Sequence, residues 1–137
     1  MQHNRIIINA DDFGISTEVN NSVINAMKNH MISSVTMIAN GSAINEAIDS
    51  WSHYPDISYG LHLNCSEGKP FYYDSNIDKI LDNQGNYNHQ SIRKIYENPL
   101  LLNSIYKDWC KQILFIQKKG IRISHLDSHH HMHTRPI

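Results

Sequence analysis

Carboxylate and imidazole side chains are concentrated at three places in this chain. Two adjacent aspartates, Asp11 and Asp12, follow a short run of β-branched residues, and His62 lies inside a later apolar run. Five of the ten histidines fall between positions 125 and 133, in the stretch HLDSHHHMH. Carboxylates and imidazoles together are a common ligand set for a catalytic divalent metal that keeps a position open for water or substrate. These residue types therefore predict hydrolysis assisted by a metal ion.

Apolar residues alternate between strand-like and helix-like spacing along the chain, which predicts strands and helices in turn. The predicted strands cover residues 5–10, 34–39, 57–64 and 121–126. The predicted helices begin at Ser16 or Thr17, at Ser42 and at Leu100, and the first is expected to bury Val19, Val23, Met27 and Met31. Residues 66–98 are polar and are predicted to be a long insertion loop with a short helix near 92–96.

The alternation of strands and helices predicts an α/β fold with parallel strands. Two architectures fit this order, an open doubly wound sheet and part of a (β/α) barrel. The 137 residues fit a single domain, 1–137. Because the carboxyl ends of parallel strands share one edge, the aspartates, His62 and the histidine cluster are expected to meet there.

Each candidate residue also has an ordinary structural interpretation. Asp11 and Asp12 could be turn residues, and His62 could be a core histidine. In extended backbone, five residues of the cluster would share one face: His125, Asp127, His129, His131 and His133. Four imidazoles and a carboxylate on a buried face are costly without a metal or a hydrogen-bond network. One or two of them are then metal ligands, and the others orient those ligands or bind substrate.

The bulk composition excludes several other classes of function. The formal net charge of −1 gives no electrostatic case for binding nucleic acid. No apolar run approaches the ~18 residues that a membrane span needs, and no signal peptide is recognisable, so a cytoplasmic protein is expected. No Gly-x-Gly-x-x-Gly follows the first strand, which argues against dinucleotide binding.

Four segments carry a family resemblance: IINADDFGIS at 7–16, SVTMIANG at 34–41, GLHLNCSEGKP at 60–70 and SHLDSHHHMH at 124–133. Their order and spacing resemble those of the YdjC-like carbohydrate deacetylases, the family that includes chitooligosaccharide deacetylase. The resemblance implies a (β/α) barrel-like deacetylase fold, of which this chain covers about the N-terminal half. It also implies a metal-dependent hydrolase that removes acetyl groups from N-acetylated carbohydrates such as chito-oligosaccharides.

The resemblance assigns roles to four residues. Asp12, His62 and His129 match the metal ligands, and Asp11 matches the catalytic base. The metal that the family implies is Mg²⁺, although two imidazoles are ligand chemistry more typical of Zn²⁺. Family members continue well past the histidine cluster, so the general acid is expected in a missing C-terminal half. Without that half, we expect homo-oligomers, because part of a barrel exposes strand edges and apolar faces.

Two other interpretations remain open. One is a different metal hydrolase, a phosphoesterase or amidohydrolase, in which His129 and His131 form a His-x-His pair. The other is a truncated, catalytically inactive fragment that binds metal.

Overall fold

The computed structural model describes residues 6–91 and 98–134 of the chain. Four strands form one sheet: β1 (Asn9–Phe13), β2 (Ser34–Met37), β3 (Ser58–Leu63) and β4 (Leu126–Ser128). Within the described residues three α-helices accompany them: α1 (Thr17–Lys28), α2 (Ile44–Ser50) and α3 (Pro99–Lys118). The short helix expected near 92–96 lies outside the described residues. None of the helices in the described ranges has the length and hydrophobicity of a membrane span.

All four strands are parallel, and they lie side by side in their order along the chain, β1-β2-β3-β4. A doubly wound sheet would instead place its first strand inside the sheet, where the strand order reverses. Sequential order is the arrangement found in the wall of a (β/α) barrel. The expected barrel-like α/β fold is therefore confirmed.

The two faces of the sheet differ in chemistry. One face packs against the helices, and its buried side chains include Phe13, Val35, Met37, Leu61 and Leu63. Residues that alternate with these point to the other face and are small or polar, namely Ser34, Thr36, Gly60 and His62. The face without the helices is thus suited to polar chemistry rather than to a packed core.

The first helix ends earlier than its apolar pattern predicts. Ser16 caps α1 by accepting a hydrogen bond from the N–H of Val19. Val23 and Met27 are buried as expected. Met31 is 63% exposed, because α1 ends at Lys28 and the apolar stripe ends with it. The predicted burial of Met31 is wrong.

The first strand begins later than predicted. The expected strand covered residues 5–10, whereas β1 covers Asn9–Phe13 and contains both aspartates. The β-branched run at 5–10 predicts a buried strand, but the three isoleucines at 6–8 are between 53% and 81% exposed, so that prediction is wrong. They precede β1, which is an edge strand of the sheet, and the Ile8 carbonyl accepts hydrogen bonds from the N–H groups of Ser33 and Ser34. The candidate carboxylates consequently lie within a strand rather than in the turn after it.

The fourth strand is also displaced toward the carboxyl end. It was expected at 121–126 and is found at Leu126–Ser128. The chain already runs beside β3 at Ser124, whose N–H donates to the carbonyl of Tyr59. The shift brings Asp127 into register with His62.

The polar insertion has a small core of its own. Ile77, Ile80 and Tyr87 are buried and form a cluster that includes Leu101 and Ile105 of α3. Short 3₁₀ turns occupy Ile77–Ile80 and His89–Ser91. The described part of this segment is therefore packed against α3 rather than extended into solvent.

Two glycines let the turns after β1 and β2 touch. Gly14 has φ +100°, a conformation that residues with a side chain rarely adopt. A Cβ on Gly41 would lie 2.2 Å from the Gly14 carbonyl oxygen, so no larger residue fits there. Buried Asn20 secures the contact by accepting from the Gly14 N–H and donating to the Ala43 carbonyl. These turns fix the end of the sheet at which the candidate site lies.

Candidate metal centre

A bulge in β1 brings two adjacent carboxylates to one place. The pairing register with β2 shifts within β1, so that Asp11 and Asp12 both stand opposite Thr36. Asp12 has φ +65°, a left-handed conformation that aspartate adopts more readily than most residues. Bulges re-aim side chains and occur often beside active sites. Here the bulge lets both carboxylates approach the same imidazole, that of His62.

Asp12, His62 and His129 converge at the carboxyl edge of the sheet, although they come from β1, β3 and the end of β4. One ligand atom from each lies within 4.8 Å of the other two. Asp12 Oδ1 lies 2.9 Å from His129 Nδ1 and 3.4 Å from His62 Nε2. The two imidazole rings meet edge to face, with centroids 5.4 Å apart. Asp12 therefore lies between two nearly buried histidines.

The far nitrogen of His62 contacts a second carboxylate. His62 Nδ1 lies 2.6 Å from Asp127 Oδ1, and Thr36 Oγ1 lies 3.5 Å from the same nitrogen. His62 is only 4% exposed. Because both of its nitrogens have polar neighbours, the ring has a defined orientation between Asp12 and Asp127.

Asp11 is held by one of its two oxygens. Its Oδ1 accepts hydrogen bonds from Asn9 Nδ2 at 2.7 Å and from Thr36 Oγ1 at 3.1 Å. No donor among residues 6–91 and 98–134 bonds to Oδ2. Asp11 is exposed, and with His62 and Asp127 it forms a second group of mutually close ligand atoms. One oxygen thus fixes the side chain and the other is available to a substrate.

His129 lies where β4 turns sharply. The strand ends at Ser128, and the backbone of His130 and His131 adopts positive φ values of 55° and 53°. His129 Nε2 is buried and has no hydrogen-bond partner within residues 6–91 and 98–134, although Glu67 Oε1 lies 3.8 Å away. Burial, together with the nearby His129 and His89 rings, lowers the pKa of His130 and favours its neutral form.

The other residues of the histidine cluster do not join this group. His125 lies nearer the amino ends of the strands, where its Nε2 is 3.3 Å from Ser34 Oγ and its ring covers Gly60. His131 is exposed, and His133 Nδ1 lies 2.7 Å from Ser128 Oγ. The expectation that all these residues share one strand face is wrong, because the extended backbone ends at Ser128.

A buried polar network fixes the loop that follows β3. Gln112 of α3 accepts from the Asn64 N–H and donates to the Asn64 carbonyl at 2.6 Å. Asp108, one turn earlier and fully buried, accepts from the N–H groups of Phe71 and Tyr72 and from Gln112 Nε2. Burial raises the pKa of Asp108, and the hydrogen bonds from these N–H groups oppose that shift. The network ties the loop beside the candidate site to the longest helix.

Replacing Asp108 with alanine is expected to lower the free energy of unfolding by at least ~2 kcal/mol, because each buried donor left without an acceptor costs about 1–3 kcal/mol. Denaturant unfolding followed by circular dichroism measures the change. The matched control is Asp49→Ala, which removes an exposed helical aspartate and is expected to change stability little. Equal effects of the two substitutions would contradict the structural role of Asp108.

Three residues around the site were missed by the sequence reasoning. Asp108 and Gln112 are buried on the same face of α3 as Ile105 and Ile116, and their helical spacing from those apolar residues was the available signal. Glu67 lies in the segment GLHLNCSEGKP, close after His62, but only the histidine was singled out there.

The sequence is similar to one protein family along almost its whole length. The model of the YdjC-like protein family matches residues 5–137. A carbohydrate deacetylase of Halalkalibacterium halodurans is 36% identical over 131 residues. Carbohydrate deacetylases of Enterococcus faecalis and Oceanobacillus iheyensis are 33% identical over 138 residues and 30% identical over 130 residues. The Halalkalibacterium alignment covers 95% of this chain and 54% of that relative. The corresponding shares are 98% and 52% for the Enterococcus protein, and 95% and 55% for the Oceanobacillus protein. The chain thus spans about half the length of the curated relatives it matches.

The fold is similar to that of a solved structure as well. A crystal structure of an Enterococcus faecalis protein, proposed to cleave cellobiose phosphate, superposes with a TM-score of 0.81 at 33% sequence identity. The match covers 95% of this chain and 50% of that one. Sequence and structure therefore point to the same relationship and to the same partial coverage.

Proposed function

This chain belongs to the YdjC-like protein family, and on that premise we propose that it carries the metal centre and the catalytic base of a carbohydrate deacetylase. The observation that carries the proposal is the convergence of Asp12, His62 and His129, whose ligand atoms lie within 4.8 Å of one another. The relatives named carbohydrate deacetylase support the reaction class. We take residues 1–137 as the N-terminal part of one deacetylase domain.

The donor set fits a divalent metal. Ligands bound at about 2.0–2.2 Å around one ion lie about 2.8–3.6 Å from each other in octahedral or tetrahedral geometry. The separations of Asp12 Oδ1 from the facing nitrogens of His129 and His62 are 2.9 Å and 3.4 Å. The Asp12 side chain is 37% exposed, so the group opens toward solvent on one side. This combination suits a catalytic site, in which protein ligands leave positions for water and substrate.

A divalent cation at these residues would act as a Lewis acid toward an amide carbonyl and lower the pKa of a coordinated water. We assign the proton transfer to Asp11, whose Oδ1 is anchored by Asn9 and Thr36 and whose Oδ2 accepts no hydrogen bond in the described part of the chain. Hydrolysis of an N-acetyl group consumes one water and yields acetate and a free amine. Proton removal from that water by a positioned carboxylate is general base catalysis.

Asp127 is assigned a positioning role. Its Oδ1 accepts from His62 Nδ1 at 2.6 Å, which leaves His62 Nε2 facing Asp12. Histidine ligands commonly donate their second N–H to a carboxylate, which fixes the ring and raises its basicity. His125, His131 and His133 remain candidates for substrate contacts.

Two lines of reasoning predict different metals for this site. The family resemblance implies Mg²⁺, whereas two imidazoles and one carboxylate favour Zn²⁺, because Mg²⁺ prefers oxygen ligands. Calorimetric titration with each metal separates the two.

An N-acetylated oligosaccharide remains the predicted substrate, and a cytoplasmic location and the absence of nucleic-acid binding remain predictions. Because β1 and β4 are sheet edges, homo-oligomers or a C-terminal half are the predicted partners.

Asp127→Asn is expected to weaken metal affinity about 10–100-fold, the usual effect of removing an outer partner of a ligand. The amide can still accept a hydrogen bond from His62 Nδ1, so the fold is expected to be unchanged. Calorimetric titration of the variant with zinc measures the effect, with Asp56→Asn, an exposed site before β3, as the matched control. Unchanged affinity in Asp127→Asn would remove Asp127 from the site.

Acetate release from N-acetylated chito-oligosaccharides tests the proposed activity. We expect metal-loaded protein to release acetate and free amine in equal amounts, and a chelator to abolish both. A second candidate is a catalytically inactive metal-binding chain, which is favoured by the coverage of only about half of each relative. Metal binding without acetate release would support that second candidate.

The interpretation as a phosphoesterase or amidohydrolase required His131 beside His129. Among the described residues, the groups of mutually close ligand atoms include His129 and His130 but not His131, which is exposed. The geometry therefore favours the deacetylase proposal over a His-x-His site. Turnover of phosphate esters that depends on His131 would reverse this preference.

A further inference from the structure

His129 has an unsatisfied nitrogen on the side away from Asp12. Its Nδ1 faces Asp12 Oδ1 at 2.9 Å, while its Nε2 is buried and has no hydrogen-bond partner among the residues that the structure describes. His129 is 8% exposed, so water has little access to this nitrogen. Buried polar atoms in native proteins nearly always have a partner, and an exception calls for an explanation.

The chemistry of a metal-binding imidazole supplies that explanation. A neutral imidazole carries a proton on one nitrogen and a lone pair on the other. If Nδ1 of His129 directs its lone pair toward a metal, Nε2 carries the proton and needs an acceptor. Histidine ligands almost always donate this second N–H to a carboxylate, a backbone carbonyl or water.

Glu67 is the carboxylate within reach. Its Oε1 lies 3.8 Å from His129 Nε2, slightly beyond hydrogen-bond distance. Its side chain is 49% exposed and can move by the small amount that a hydrogen bond requires. His62 shows the same arrangement in completed form, since its outer nitrogen already contacts Asp127 at 2.6 Å.

The backbone around Glu67 is held in place. The Glu67 carbonyl accepts hydrogen bonds from the side-chain amides of Asn40 and Asn64, both at 3.0 Å. Asn64 is in turn fixed by Gln112 of α3, through both its N–H and its carbonyl. The next residue, Gly68, has φ +67°, and a Cβ there would lie 2.8 Å from the Asn40 carbonyl oxygen. The loop therefore presents the Glu67 side chain to His129 from a rigid backbone.

We propose that Glu67 is a positioning residue that accepts the Nε2 proton of His129 and orients this ring for metal binding. The proposal rests on the proposed metal centre. Asp12 then lies between two histidines, each with its own outer carboxylate, Asp127 for His62 and Glu67 for His129. Glu67 itself is not a metal ligand.

Zinc alone is the probe for this role. Calorimetric titration of Glu67→Ala is expected to show about 10–100-fold weaker zinc binding than the unsubstituted chain. Glu67→Gln, whose amide oxygen still accepts a hydrogen bond, is expected to retain more affinity than Glu67→Ala. Asp56→Ala removes an exposed carboxylate before β3, at the opposite end of the strands, and is expected to bind like the unsubstituted chain. Circular dichroism melting of the metal-free proteins should show no loss of fold, because Glu67 is half exposed.

A second readout reports directly on the hydrogen bond. In ¹⁵N–¹H spectra of the zinc-loaded chain, the His129 ring is expected to show a slowly exchanging Nε2–H signal, which Glu67→Ala removes. Unchanged zinc affinity and an unchanged signal in Glu67→Ala would overturn the proposal. Binding of two zinc equivalents, with one lost in both Glu67→Ala and His130→Ala, would also overturn it, because Glu67 would then be a ligand of a second ion. Failure of the unsubstituted chain to bind zinc would contradict the metal centre itself and, with it, this role.

Discussion

Asp11→Asn is expected to lower kcat for acetate release by about 10²–10⁴-fold, the usual contribution of a positioned general base. The substitution keeps the size of the side chain, and its amide oxygen can still accept from Asn9 and Thr36, which hold Asp11 Oδ1. What it removes is a basic oxygen at the position of Oδ2. Affinity for the metal is expected to stay close to that of the unsubstituted protein, because Asp12 rather than Asp11 faces both His62 and His129.

The experiment compares Asp11→Asn with Asp56→Asn, an exposed aspartate before β3, in a preparation whose unsubstituted protein releases acetate. Initial rates of acetate release and calorimetric metal titrations are measured on the same samples. Activity that survives in Asp11→Asn would exclude Asp11 as the base. Joint loss of activity and metal binding would make Asp11 a ligand instead.

Asp12→Asn is expected to weaken metal binding more than about 100-fold, beyond the range expected for the loss of an outer partner. Asp12 Oδ1 faces both His129 Nδ1 and His62 Nε2. Asparagine tolerates the left-handed backbone of position 12, where φ is +65°, so the substitution changes the ligand without adding strain. The effect therefore reports on charge and ligation rather than on folding.

Calorimetry with zinc and with magnesium measures the loss in Asp12→Asn, and Asp56→Asn again controls for the loss of one negative charge. Thermal melting of the metal-free proteins should place the variant close to the unsubstituted chain. Metal affinity within a few-fold of that chain would refute the assignment of Asp12 as a ligand.

The general architecture was readable from the sequence because it depends on hydrophobic periodicity. Alternating strand-like and helix-like patterns predicted parallel strands, and parallel strands place their carboxyl ends at one edge. That reasoning grouped Asp11, Asp12 and His62 with the histidine cluster at 125–133, and the family resemblance singled out His129 within the cluster. The relative order of the strands settled the choice between the two α/β architectures, and periodicity carries no information about that order.

The local backbone at the site was not readable in the same way. A run of three isoleucines resembles a buried strand, yet β1 begins only at Asn9. The bulge that sets Asp11 and Asp12 against Thr36 depends on pairing with β2, which is a long-range interaction. The positive φ values of His130 and His131 likewise end the extended backbone, so alternate residues of the histidine cluster do not share one strand face as predicted. In each case tertiary contacts, rather than local preference, determine where a side chain points.

The roles of the polar residues that support the site could not be predicted from the sequence for a related reason. Gln112 and Asp108 lie on the buried face of α3, and their function depends on backbone N–H and C=O groups of the loop they contact. Such partners are identified only when the loop and the helix are placed together. Glu67 gains its role in the same manner, from the position of His129.

The most direct test of the central claim is a crystal structure of the metal-loaded chain, with anomalous scattering measured at the absorption edge of zinc. The account predicts an anomalous peak within about 2.0–2.2 Å of one Asp12 oxygen and one ring nitrogen each of His62 and His129, distances typical of zinc. It also predicts no peak bounded by Glu67 and His130. A peak at Glu67 and His130 alone, or ordered crystals with zinc absent from Asp12, would contradict it.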